Sequence, residues 1–184
     1  MTTKPGKDGP DVRAKLLAAA VRLFAEQGVA GTTVAEIAKR AGVTSAMVHY
    51  YFKTKDQLLD AVVAEKLVGE FIASIAGAID RGGSDPLALV ERLVWRIVEA
   101  SDALPWLPPL WVREVVSQGG ALREKLIQRV DLGVPERFKA VLAAAQKAGR
   151  VNPGIHPQLT FMSVIALTML PLSMAKDWDR IPLI

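Results

Sequence analysis

The sequence predicts an all-α chain, and three observations carry this. Apolar residues recur at spacings of three and four along most of the 184 residues. No segment alternates polar and apolar side chains as a half-buried strand would. Glycine- and proline-rich breaks cut the periodic stretches at helical lengths. Hydrophobic residues make up 51% of the chain, enough to bury a core.

The elements follow in order. Met1 to Pro10 holds Gly, Pro and Lys without an apolar run and reads as a flexible tail. Val12, Leu16, Ala19, Ala20, Leu23 and Phe24 then share one helical face, with Asp11 as the expected cap and Gly28 as the stop. Thr33-Val-Ala-Glu36 is a capping box opening a second helix, which Gly42 ends after Ala41. A short third helix starts at Thr44, which is the expected cap. A second capping box, Thr54-Lys-Asp-Gln57, opens a long helix expected to reach Asp80. Residues 81–86 are a break, and Pro86 sits at the first turn of the next helix. Prolines 105, 108 and 109 interrupt the following stretch, before a helix over Leu110 to Ser117. Gly119-Gly120 precedes a segment from Ala121 to Ala148 that Gly133 and Pro135 should kink or split. The last helix starts near Pro157.

Composition excludes several functions. There is no cysteine, so no disulfide, thiolate metal site or cysteine nucleophile. The only histidines, His49 and His156, lie in different segments, and no phosphate loop, nucleophile elbow or His-Glu-x-x-His motif occurs. The reading is a non-enzyme with no cofactor and no metal. No signal peptide is legible, and a cytoplasmic protein is expected. Leu159 to Ala175 is uncharged, but it is short of a membrane span and contains Pro171, so a buried helix is expected there. The net charge is +4, and three of those charges fall in residues 1–64. That agrees with an N-terminal nucleic-acid contact without establishing one.

The informative segment is 34–51. A helix carrying Ile37 and Ala38 meets a tight turn at Gly42, and a second helix carries Val48 and Tyr51. Small Ala38 lets the helices cross closely, Gly42 supplies positive φ, and Val48 locks the second helix. That is helix-turn-helix spacing. The run from Thr32 to Leu59 closely resembles the DNA-binding domain of TetR-family repressors. Ile37-Ala38, Ala41-Gly42-Val43, Tyr51-Phe52, and Lys55 followed by Leu58-Leu59 carry the resemblance, which covers roughly residues 10–60.

The resemblance implies a three-helix DNA-binding domain (11–56) and a helical ligand-binding and dimerisation domain (57–184). It makes the helix from Thr44 to Tyr51 the recognition helix in the major groove. Thr44 is then a phosphate contact. Ser45, Ala46, Met47, His49 and Tyr50 face bases or phosphates, with Ala46 and Met47 suited to a thymine methyl. Thr33, Tyr51 and Lys55 match the family's phosphate contacts. His49 stands where many relatives carry tyrosine. Taken alone, Phe52 reads as core, Tyr51 as either core or contact, and Thr33 and Thr54 as caps. Lys4 and Lys7 add salt-sensitive phosphate attraction.

No specific motif marks residues 57–184. The resemblance implies dimerisation through the last two long helices, here Glu136 to Ala148 and Pro157 to Lys176. Phe138, Val141, Leu142, Ala145, Phe161, Ile165, Leu167 and Met169 are core or interface positions, and the sequence does not separate the two. Trp95, Trp106 and Trp111 cluster around the prolines; with Phe71, Met162 and Met169 they are the candidate walls of a ligand pocket, although ordinary core packing is the readier explanation of any one of them. Arg96, Glu99, Asp102 and Arg113 are the nearest charges. The expected partners are double-stranded DNA, a small apolar or aromatic effector, and a second copy of the chain. The implied function is a ligand-responsive repressor that binds palindromic operator DNA. The alternative is a helical interaction module without ligand-regulated DNA binding.

Overall fold

A computed structural model describes residues 9–80, 83–131 and 133–180. The described residues contain helices and turns and no strand. In the N-terminal unit, α1 (Gly9–Gln27) packs across α2 (Val34–Ala41), and α2 packs on α3 (Ser45–Phe52). Leu16, Ala20, Phe24, Ile37, Ala38, Val48 and Phe52 close a dry core between these helices. A helix then leaves this unit as α4 (Lys55–Ala61), continues in π-helical geometry over Val62–Ile72 (π1), and ends as α5 (Ala73–Asp80). Helical dihedrals at Val62 and Ala73 make it one rod.

The remaining elements surround the far half of that rod. They are α6 (Pro86–Ala103), α7 (Leu107–Trp111), a π-helical turn over Val112–Val116 (π2), α8 (Arg123–Ile127), α9 (Gly133–Lys147), α10 (Pro157–Ser173) and a closing 3₁₀ turn over Ala175–Arg180. α10 packs on α6, α7 and α9, α5 packs on α6 and α9, and α7 reaches back to α1. Phe71, Leu89, Leu93, Ile97, Leu107, Phe138, Leu142 and Met169 fill this second layer, which is continuous with the first.

Three local expectations change and a fourth holds. Helix α1 starts at Gly9, so Asp11 lies inside its first turn, where it pairs with Lys15 at 2.6 Å instead of capping. Gly9 and Pro10 are therefore helical; the rest of the expected tail, with Lys4 and Lys7, lies outside the described residues. Thr44 occupies the cap position of α3, but its side chain makes no capping bond. The long helix reaches Asp80 as expected, but the π-helical widening in its middle has no counterpart in the periodicity. The 121–148 segment splits before Gly133, and Pro135 falls in the first turn of α9, where a missing N–H costs nothing.

Candidate DNA-binding site and its family

The turn between α2 and α3 is built by Gly42. At φ 70° it is left-handed, and the amides of Gly42 and Val43 bond to the carbonyls of Lys39 and Ala38 at 3.2 and 3.0 Å. A residue with Cβ in that conformation is strained. At the other end of α2, the Thr33 amide and hydroxyl donate to Glu36 at 2.7 and 2.8 Å, and the Glu36 amide donates back to the Thr33 hydroxyl at 3.2 Å. These Thr33 bonds hold the Glu36 carboxyl below its usual range. The Arg40 guanidinium forks onto Glu26 at 3.0 and 2.8 Å and locks α2 to α1.

Helix α3 is amphipathic in the sense a recognition helix requires. Val48 and Phe52 point into the core. Ser45, Ala46, His49 and Tyr50 form one exposed face, with Tyr50 76% exposed. Met47 and half-buried Tyr51 flank it, and the Tyr50 and Tyr51 rings meet edge to face with centroids 5.1 Å apart. His49 Nδ1 lies 3.2 Å from the carbonyl of Lys53. A carbonyl only accepts, so Nδ1 is the donor in this contact and the Nε2 edge of the ring is left to the exposed face. Exposed Lys53 continues this face at the C-terminal end, a cation the motif reading passed over. Thr33 and Thr44 are also exposed beside it. Thr33, whose amide and hydroxyl both donate to Glu36, is one exception among the expected contacts, and Lys55 is the other. Its ammonium is half-buried and donates to the carbonyls of Val29 and Thr32 at 2.5 and 2.6 Å. Only one of its three donors remains for a phosphate.

Residues 16–62 match the profile of the bacterial regulatory proteins, tetR family. The transcriptional repressor KstR2 of Rhodococcus jostii is 30% identical over 159 residues, covering 85% of this chain and 74% of that protein. The chain belongs to the TetR family. The RutR regulator of Escherichia coli K12 is also 30% identical, over 161 residues, with the same coverage. Among solved structures, the hemolysin II regulator HlyIIR superposes with a TM-score of 0.70 at 24% identity, over 92% of this chain and 91% of that one. Bacillus subtilis FadR in complex with stearoyl-CoA gives 0.68 at 22% identity, over 91% and 88%. This TetR-family chain is thus a transcriptional regulator with an N-terminal helix-turn-helix, and not an enzyme.

The other half of this TetR-family protein holds an open cleft of about 390 Å³ between the rod and α6. Phe71, Ala100, Ala103 and Leu104 make it apolar, and Glu70, Ser74, Arg96 and Glu99 line its polar side. Arg96 pairs with Glu99 at 2.9 Å, and Glu70 pairs with Lys66. Of the six aromatic and Met residues singled out in the sequence, Phe71 alone lines this cleft. Half-buried Trp111 meets the Phe71 ring edge-on at 5.4 Å and supports the wall from behind. Trp106 is packed against the core and Met169 lies within it. Trp95, 59% exposed, and Met162, 57% exposed, point outward. Periodicity cannot tell which face of a helix meets a neighbour, so those two were indistinguishable from Phe71 in the sequence.

Burial within the chain separates the core positions on the last helices from the exposed ones. Phe138, Leu142, Ala145, Phe161, Ile165 and Met169 are buried within the chain, and Val141 is half-buried. Leu167, at 75% exposure, joins Leu159, Met162, Ala166 and Leu170 in an outward apolar stripe on α10. Among the described residues no helix is long and apolar enough to cross a membrane.

Proposed function

We propose that this regulator is a homodimeric repressor that binds palindromic operator DNA and is released by a small effector with an apolar or aromatic body. The observation that carries the reading is the exposed face of α3. Ser45, Ala46, His49 and Tyr50 stand outward on a helix whose opposite face is locked into a core. In this reading that face enters the major groove, while Thr44, Tyr51, Lys53 and the remaining donor of Lys55 meet phosphates, and Thr33 does so by turning its hydroxyl from Glu36.

The α10 stripe supports the dimer. Five apolar side chains at helical spacing on one outward face are more than a solvated helix needs. Two copies joined there put two recognition helices on one duplex, hence a two-fold operator. The cleft beside Phe71 supports the effector. Its volume falls in the small-molecule range, and its apolar wall with a charged side suits a ligand whose apolar body ends in a polar group. The FadR neighbour carries stearoyl-CoA, and the Mycobacterium tuberculosis KstR2 neighbour is a ketosteroid regulator, both in keeping with a largely apolar ligand. Release then follows from a population shift: a ligand that prefers the conformer with mis-spaced recognition helices lowers DNA affinity. The domain boundary near residue 56 falls in the first turn of the rod, which makes the rod the lever.

The test is selection of bound duplexes from a random pool, followed by anisotropy titration at two salt concentrations. A palindromic consensus, with affinity falling steeply as salt rises, is the expected result. Absence of any consensus, with weak binding even at low salt, would remove the reading.

A further inference from the structure

Glu114 is the one buried acid among the described residues, 6% exposed. It lies in π2, on the same apolar stripe as Leu107 and Leu110. A carboxylate is costly to bury unless its oxygens are satisfied. Here both are, by backbone. Oε1 accepts from the Val29 amide at 2.9 Å, and Oε2 accepts from the Ala121 amide at 3.0 Å.

Two glycines make this approach possible. A Cβ on Gly28, already at φ 81°, would stand 3.2 Å from Oε1. A Cβ on Gly120 would fall 2.3 Å from the Glu114 carbonyl oxygen. The same turn is held from its other side, because the Val29 carbonyl accepts from Lys55. Thr32, itself buried, donates its hydroxyl to the Gly28 carbonyl at 2.7 Å, and Arg113 reaches the Glu26 carbonyl at 3.3 Å. The Gly28–Thr32 turn thus lies between Glu114 of the second layer and Lys55 of the rod. Helices α2 and α3 together span the chain between this turn and Lys55.

We infer that Glu114 is a positioning residue for DNA binding: by holding Val29 it fixes the turn that, with Lys55, sets where α2 begins and how α3 is presented. This rests on the DNA-binding reading above. A carboxylate is required, since both oxygens must accept; glutamine would turn an NH₂ toward one of the two amides.

The experiment compares the wild-type chain, Glu114→Gln and Leu93→Ala on the selected duplex by anisotropy. Leu93 is fully buried in α6 and serves as a control for lost stability alone. All are measured where circular dichroism shows them folded. Glu114→Gln is expected to lose about tenfold or more in affinity with an unchanged salt slope, because no phosphate contact is removed. Leu93→Ala is expected to stay within about threefold of wild type. Glu114→Gln within about threefold of wild type, or an equal loss in Leu93→Ala, would overturn the inference while leaving the DNA-binding reading intact. A wild-type chain that selects no duplex would sink both. Should Glu114→Gln not fold, amide exchange of the wild type decides. Operator binding should slow exchange at Val29 by about tenfold, and an unchanged rate there overturns the inference.

Discussion

Arg13 and Glu65 form a two-armed ion pair, 2.7 and 2.5 Å, between α1 and the π-helical part of the rod. The same guanidinium lies 5.2 Å from the ring centre of Phe52, the last residue of α3. One side chain therefore touches three elements that must keep a fixed geometry for α3 to fit a groove. Its hydrogen bonds to Glu65 hold the glutamate below its usual range and raise the arginine. A depressed carboxylate adds stability above its unfolded pKa of about 4.3, and that stability is lost as pH falls through the lower folded value. Glu65→Gln should lower Tm by a few degrees at pH 7, and the gap from wild type should close once both are measured well below about pH 4. Both groups are more than a third exposed, so high salt should shrink the gap too. Thermal scans at two pH values check this; a gap that widened in acid would refute the assignment.

Tyr50 is the exposed large apolar side chain of α3. Replacing it with alanine removes no core contact, so Tm should move by less than about 2 °C while operator affinity falls by about 1–3 kcal/mol. Phe52→Ala should do the reverse at low temperature and cost about 3–5 kcal/mol of stability, since Phe52 is buried. Parallel calorimetry and anisotropy on the two variants separate the roles.

Lys53 contacts no core and stands at the C-terminal end of the recognition face. Lys53→Ala should weaken binding to every duplex alike and reduce the slope of log affinity against log salt by about one. An unchanged slope would place Lys53 away from the phosphates.

Leu167 and Leu170 face outward from α10. In the proposed dimer, Leu167→Glu with Leu170→Glu should leave each chain helical but give monomer in sedimentation. Operator affinity should then drop by about a hundredfold, because each half-site is bound alone. A double variant that still sediments as a dimer would move the interface elsewhere.

Phe71 and Trp95 differ in a way the ligand should report. Arg96→Ala and Phe71→Ala alter the cleft and should abolish release of DNA by an effector found in a screen, whereas Trp95→Ala should leave it unchanged. Phe71→Ala should also cost about 3–5 kcal/mol of stability through the cavity it leaves.

Much of this protein was legible residue by residue. The capping box at Thr33, the turn at Gly42 and the inward Val48 are local features, written in spacings of three and four, and they fix the helix-turn-helix before any packing is known. The exposed face of α3 followed from the same register. What the sequence left open involves partners far along the chain. Leu167 and Met169 are two residues apart in an equally apolar run, yet one faces out and the other is core, because α6, α7 and α9 cover only one side of α10. Trp95 and Phe71 part in the same manner. Lys55 reads as a phosphate contact until the turn at Val29 and Thr32 claims two of its donors. Glu114 carried one local signal, an acid on an apolar stripe, but its partners Val29 and Gly28 lie 85 residues or more away. Sequence alone determined where the helices fall, the caps at Thr33 and Thr54 and the outward face of α3, since those depend on hydrogen bonds and side chains within one or two turns. Only the tertiary structure decided which apolar residues line a cleft, which stay exposed, and which buried acid holds the turn at Val29, because those depend on which distant surfaces exclude water from one another.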